Sequence, residues 1–341
     1  MLALLATLTL AACDAEGTSE SPVLQLTVDP AKYGTWAWDG STWTQLSRTS
    51  FVEHASGGEL YPARLDYWKG LGGLIAMDRT FPFDPTTWAS VEMWTGSDWV
   101  TDAAFPSPPP NVSDDAVIFD PANDQLISVD TKGQTIWAWL RGSWVSVVPT
   151  DQWMPPKTFG VAKFAYDPYR QEVLILFCCQ PPSGPVDDSK PCSYDPCDET
   201  WAWNGRALTK RSAAPIPNDV GRLVPDDGGH MLTFGNQQDL SWDGKSWSPL
   251  ASGLACPKSS VDLTALDMAY DAAHKQLIAI GPDTAYGFHM WRWIDGNWKP
   301  MSPESSPPPG SDSIVYDPAL PGLVLTVVPP PSPSVSGPCS T

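Results

Sequence analysis

The sequence predicts an all-β chain folded as a six-bladed β-propeller of four-stranded antiparallel blades. Two short motifs alternate along it at near-constant internal spacing, each in six copies, and self-similarity of this kind is the signature of a repeat architecture. Apolar residues fall in short runs such as Val173 to Phe177, bounded by turn residues, which is how buried strands read. The 18 tryptophans and 37 prolines agree, because Trp favours pleated surfaces and Pro interrupts helices.

The first motif is an aromatic strand, a tight turn and a second aromatic. Trp36-Ala37-Trp38-Asp39-Gly40-Ser41-Thr42-Trp43 is its clearest copy. The interval from Trp38 to Trp43 recurs as Trp94 to Trp99, Trp139 to Trp144, Trp242 to Trp247 and Trp293 to Trp298, with a weaker copy from Trp203 to Leu208. Each copy encloses one glycine (Gly40, Gly96, Gly142, Gly205, Gly244, Gly296), the residue that tolerates positive φ in a hairpin turn. Residues two apart, such as Trp36 and Trp38, share one strand face and can pack on a neighbouring sheet.

The second motif is an aromatic-Asp-Pro turn leading into an apolar strand. Tyr166-Asp167-Pro168 leads to Val173, and the same design joins Asp120 to Leu126, Asp271 to Leu277 and Asp317 to Leu323. Trp68 to Leu74 and Asp226 to Leu232 are degenerate copies. Asp first and Pro second suit a type I turn, so this is another hairpin. One hairpin of each kind makes a four-stranded unit that needs neighbours on both faces, and six such units close a ring. The chain enters on the Trp motif and leaves on the Asp-Pro motif, so the last blade is expected to combine strands from both termini.

This pattern resembles the bacterial variant of the Kelch repeat over roughly residues 33 to 328. The Trp-x-Trp-Asp-Gly-x-x-Trp hairpins match it closely. The glycine pair that normally follows the apolar strand is largely missing, with Cys178-Cys179 and Gly235-Asn236 in its place. Galactose-oxidase-type enzymes carry copper on a Kelch propeller, but His54, His230, His274 and His289 stand in unlike contexts and match no copper-site motif.

The N-terminal Leu2 to Leu10 is apolar and too short to span a bilayer. It ends in Leu10-Ala11-Ala12-Cys13, which resembles the lipobox of bacterial lipoproteins; an ordinary signal peptide is the competing reading. The expected organisation is a signal peptide over 1–12, a lipidated Cys13 with a flexible tether over 13–22, the propeller over 23–333 and a tail over 334–341. Contact with the membrane is expected through the lipid anchor alone, at a bacterial cell envelope. A formal net charge of -19 argues against nucleic acid or an anionic membrane surface as partner.

Without Cys13 an even set of cysteines remains: Cys178, Cys179, Cys192, Cys197, Cys256 and Cys339. Export makes these disulfide candidates, with local bridges among the first four and Cys256 to Cys339 stapling the tail. A zinc site is disfavoured by the Cys192-x4-Cys197 spacing. The insertion from Gln180 to Glu199 departs furthest from the repeat and carries Asp187, Asp188, Asp195 and Asp198, readable as a weak calcium site or as a solvated loop. Trp88 and Trp153 fall outside the motifs and are candidates for ligand stacking or for covering the domain edge. No catalytic set and no other cofactor is indicated, so the expected role is a non-enzymatic module presenting loops to an envelope protein or glycan. The alternative is an envelope hydrolase or oxidoreductase with its site assembled at the propeller axis.

Overall fold

The structure, a computed structural model, describes residues 34–48, 64–68, 73–79, 88–101, 117–130, 134–140, 142–148, 159–179, 197–212, 216, 220–235, 238–250, 266–282, 288–303, 311–320 and 322–327. Twenty-four strands lie among them, in six antiparallel sheets of four. Blade one holds β3 (Arg64–Trp68), β4 (Gly73–Arg79), β5 (Trp88–Trp94) and β6 (Trp99–Thr101). Blade two holds β7 (Val117–Asp120), β8 (Gln125–Asp130), β9 (Thr135–Leu140) and β10 (Ser143–Val148). Blade three holds β11 (Phe159–Asp167), β12 (Glu172–Cys179), β13 (Cys197–Trp203) and β14 (Leu208–Ser212). Blade four holds β15 (Val220–Pro225), β16 (Met231–Gly235), β17 (Leu240–Trp242) and β18 (Trp247–Pro249). Blade five holds β19 (Asp267–Asp271), β20 (Gln276–Pro282), β21 (Phe288–Ile294) and β22 (Asn297–Met301).

Blade six is shared between the termini. It orders β2 (Trp43–Ser47), β1 (Gly34–Trp38), β24 (Gly322–Val327) and β23 (Ser311–Asp317). The seam pairs Gly34 with Val327 and runs to Trp38 opposite Leu323. The six inner strands β3, β7, β11, β15, β19 and β23 each contact the next in ring order, and β23 returns to β3, so the ring is closed.

The Trp motif forms the outer hairpin of each blade. Trp38 faces Trp43, Trp94 faces Trp99, Trp139 faces Trp144, Trp242 faces Trp247 and Trp293 faces Trp298, with ring centroids 5.2–5.6 Å apart. Such cross-strand aromatic pairs contribute about 0.5–1.5 kcal/mol each beyond their buried area. All six turn glycines have φ between +76 and +96, as the turn requires. Ahead of the glycine, the Asp39 and Asp243 carboxylates and the Asn204 amide oxygen accept N–H groups from the far side of the turn.

Blades are joined through the outer tryptophan. Trp99 donates its indole N–H to Thr35 Oγ1 of blade six at 2.7 Å, Trp247 to Thr200 Oγ1 of blade three at 2.8 Å, and Trp43 to Met290 Sδ of blade five at 2.9 Å. In each case the acceptor is the residue just before the Trp-x-Trp run, or its equivalent, in the preceding blade. Apolar clusters fill these interfaces; one joins Ile127 and Val129 of blade two to Val173, Ile175 and Trp203 of blade three. No helix among the described residues is long and apolar enough to cross a membrane.

Candidate functional site

The Asp-Pro motif builds the inner turns, all on one face of the ring. The carboxylates of Asp120, Asp167, Asp271 and Asp317 are buried, which is tolerable because each accepts backbone N–H groups of its own turn. In three of them the second oxygen holds the residue three positions on: Asp120 with Asn123 at 2.8 Å, Asp167 with Arg170 at 2.8 Å, Asp271 with His274 at 2.8 Å. That residue lies against the turn glycine of the next blade. A Cβ at Gly205 would overlap Asn123, one at Gly244 would overlap Arg170, and one at Gly40 would overlap His274. The two sequence motifs thus interlock, inner turn of one blade on outer turn of the next.

In five of the six blades an aromatic stands at the repeat position just before the inner turn, and together these form a collar around the axis. Tyr67, Phe119, Tyr166, Tyr270 and Tyr316 line an axial cavity of about 480 Å3, together with residues of all six inner strands and Pro121, Pro168 and Pro318 of the turns. The prolines put its mouth on the turn face. Burial first, then nearby aspartates, pushes the Tyr166 and Tyr316 phenols up; Tyr270 is pushed up to about 12 by burial and by Tyr169, Asp227 and Asp226. These hydroxyls therefore remain protonated donors at neutral pH.

Beneath the collar, side chains occupy the exposed edges of the inner strands. Arg222 of blade four pairs with Asp267 of blade five. Asp267 accepts the N–H of Ile314 in blade six at 2.6 Å, Ser313 Oγ accepts that of Leu65 in blade one at 3.3 Å, and Asp66 accepts that of Phe119 in blade two at 3.4 Å. Burial alone would lower the pKa of Arg222, but the charge and hydrogen bond of Asp267, with the charge of Asp66, turn the shift upward. Both axial carboxylates, Asp66 and Asp267, are thus engaged in holding neighbouring blades.

The residues singled out in the sequence are placed elsewhere. Trp88 begins β5, Asp198 lies in β13, and Cys178, Cys179 and Cys197 lie in β12 and β13; the β12–β13 register sets Cys178 opposite Cys197. Cys13, Cys192, Cys256, Cys339, Trp153, Asp187, Asp188 and Asp195 lie outside the described residues. Among the described residues, no group of three or more His, Cys, Asp or Glu could hold a metal ion. The axial collar escaped the sequence reading because its aromatics looked like turn residues. Their recurrence at one repeat position was the available signal.

No known protein family matches the chain, and no curated protein matches it. Among solved structures, a putative gluconolactonase is 12% identical, covering 86% of this chain and 91% of its own, with a TM-score of 0.49. The SapL1 lectin in complex with α-methyl fucoside is 12% identical over 80% of this chain and 98% of its own, at 0.46. Virginiamycin B lyase from Staphylococcus aureus is 6% identical over 80% and 97%, at 0.44. These likenesses are distant, and the six-bladed architecture of this chain rests on its own strand pairing.

Proposed function

We propose that the chain is a non-enzymatic binding module that takes a glycan in its axial cavity, displayed at a bacterial envelope through a lipid on Cys13. The observation that carries this reading is the aromatic collar. Aromatic faces suit the C–H surfaces of a sugar ring, and protonated phenols offer donors to its hydroxyls. The axial carboxylates are bound to backbone N–H groups of the next blade, which argues for a structural role over acid–base work. The Kelch-like kinship stays part of this proposal and rests on the Trp hairpins.

Calorimetry of the full chain against a panel of hexoses and disaccharides tests the reading. Tyr166→Ala and Tyr316→Ala are expected to weaken binding about tenfold or more each, as loss of a stacking and donor contact implies. Binding unaffected by both substitutions overturns the axial assignment, and turnover of the sugar overturns the non-enzymatic one. Intact mass of the envelope fraction tests the lipid on Cys13. The backbone register favours a Cys178–Cys197 bridge among the disulfide candidates, since directly paired strand residues stand at a separation a disulfide can span. Non-reducing peptide mapping decides it, and free thiols at both positions refute it.

A further inference from the structure

The interlock between neighbouring turns is replaced at two described junctions: Leu320 of blade six packs with Trp94 and Trp99 of blade one, but between blades four and five a cleft stands instead. Between blades four and five the position that holds Asn123, Arg170 or His274 elsewhere is Gly229, three residues after Asp226. A Cβ at Gly229 would meet nothing within 4 Å. The blade-four turn is itself held from behind, by Tyr169 Oη donating to the Asp226 carbonyl and by Arg170 donating to the Gly229 carbonyl at 3.2 and 3.3 Å, and its Asp226 carboxylate meets His230 Nδ1 at 3.2 Å within the same turn. The resulting cleft, about 630 Å3, runs from Asp226 and Asp227 to the outer turn of blade five at Asp295 and Gly296.

Its lining departs from the repeat in a second way. The residue between the paired tryptophans is alanine in three other blades (Ala37, Ala138, Ala202), whereas blade five has Arg292. The Arg292 Nε is buried with no hydrogen-bond partner. Among the described residues, Asp227, Lys275 and Arg292 likewise make no ion pair, and the Asp295 carboxylate accepts no hydrogen bond. Among the described residues the cleft therefore gathers two carboxylates and two cations that make no ion pair, around Tyr270 and Trp293. A bare cation would be opposed by Lys275 and Arg292, and a phosphate by Asp227 and Asp295. A neutral polyol meets both sets, because each hydroxyl donates to a carboxylate and accepts from a guanidinium or ammonium group.

We propose that the cleft between blades four and five is a second saccharide site, sharing only the Tyr270 wall with the axial cavity, in which Asp227, Asp295, Lys275 and Arg292 bind the hydroxyls of one sugar unit. The site is independent of the axial assignment. Saturation-transfer NMR and calorimetry of the full chain with glucose, fucose, N-acetylglucosamine and glucuronate as probes test it, using Asp227→Asn, Lys275→Ala and Arg292→Lys beside Tyr166→Ala. Lys275 lies on an exposed turn, so its variant keeps the test clear of misfolding, and unchanged thermal unfolding verifies each protein. The expected result is binding of at least one probe that each cleft variant weakens about tenfold, a loss matching one charged hydrogen bond, and that Tyr166→Ala leaves in place. No probe binding, binding that only Tyr166→Ala removes, or preferential binding of glycine or inorganic phosphate overturns it.

Discussion

At the level of single residues, the two tryptophans of the outer hairpin are not equivalent in blades one, four and six. Trp38 is 1% exposed and its buried indole N–H has no partner, whereas Trp99 donates to Thr35. An unpaired buried donor costs about 1–3 kcal/mol, and a paired one contributes about 1 kcal/mol. Trp38→Phe is therefore expected to lose less stability than Trp99→Phe, although both leave a similar void; urea unfolding of the two proteins measures the difference. Acid affects two aspartates in opposite senses. Backbone N–H groups of Thr42 and Ser41 lower Asp39 from 3.8 to about 2, so its turn contributes stability above pH 4 that is lost as pH falls towards 2. Burial raises Asp317, so the native state favours its protonated form and the ionised carboxyl weighs against folding as pH rises past its ordinary value. Asp39→Asn is expected to flatten the acid limb of a stability–pH profile. Asp317→Asn, which keeps an oxygen for the Ala319 N–H, is expected to raise stability at neutral pH.

Among elements, the turns do more than reverse the chain. Gly142 and Gly244 share a φ of +85 to +95, but a Cβ at Gly142 meets open space while one at Gly244 strikes the Arg170 guanidinium. Alanine at either site incurs about 1–2 kcal/mol of left-handed strain. At Gly244 it also displaces hydrogen bonds from Arg170 to Asp167 and Asp243, a further ~1–3 kcal/mol. Thermal or urea unfolding should rank Gly244→Ala well below Gly142→Ala. The glycines themselves were legible in the sequence, since every hairpin copy carried one. The interlocking partner was not, because Asn123, Arg170 and His274 share no chemistry beyond the ability to reach an aspartate.

For the molecule as a whole, blade count and shared closure were legible because the Trp and Asp-Pro intervals survive divergence and their phase differs at the two ends. The axial cavity was not, since it depends on six strand edges meeting. The cleft between blades four and five is marked by a missing side chain at Gly229 and by Arg292 where three other blades have alanine, single departures that carry no motif of their own. Closure carries a measurable consequence. Removing residues up to 63 strips β1 and β2 from blade six and uncovers Leu323 and Leu325, both 0% exposed, so that protein is expected to lose cooperative unfolding by circular dichroism.

The seam sets Gly34 directly opposite Val327. A loop of a few residues between them would turn the two-ended chain into a covalent circle, which could then be opened in any connection between blades. Each such permutant keeps every interlock and every tryptophan staple, because all of them link nearest neighbours and none depends on where the chain starts. Order of synthesis and order in space are thus separable in this ring.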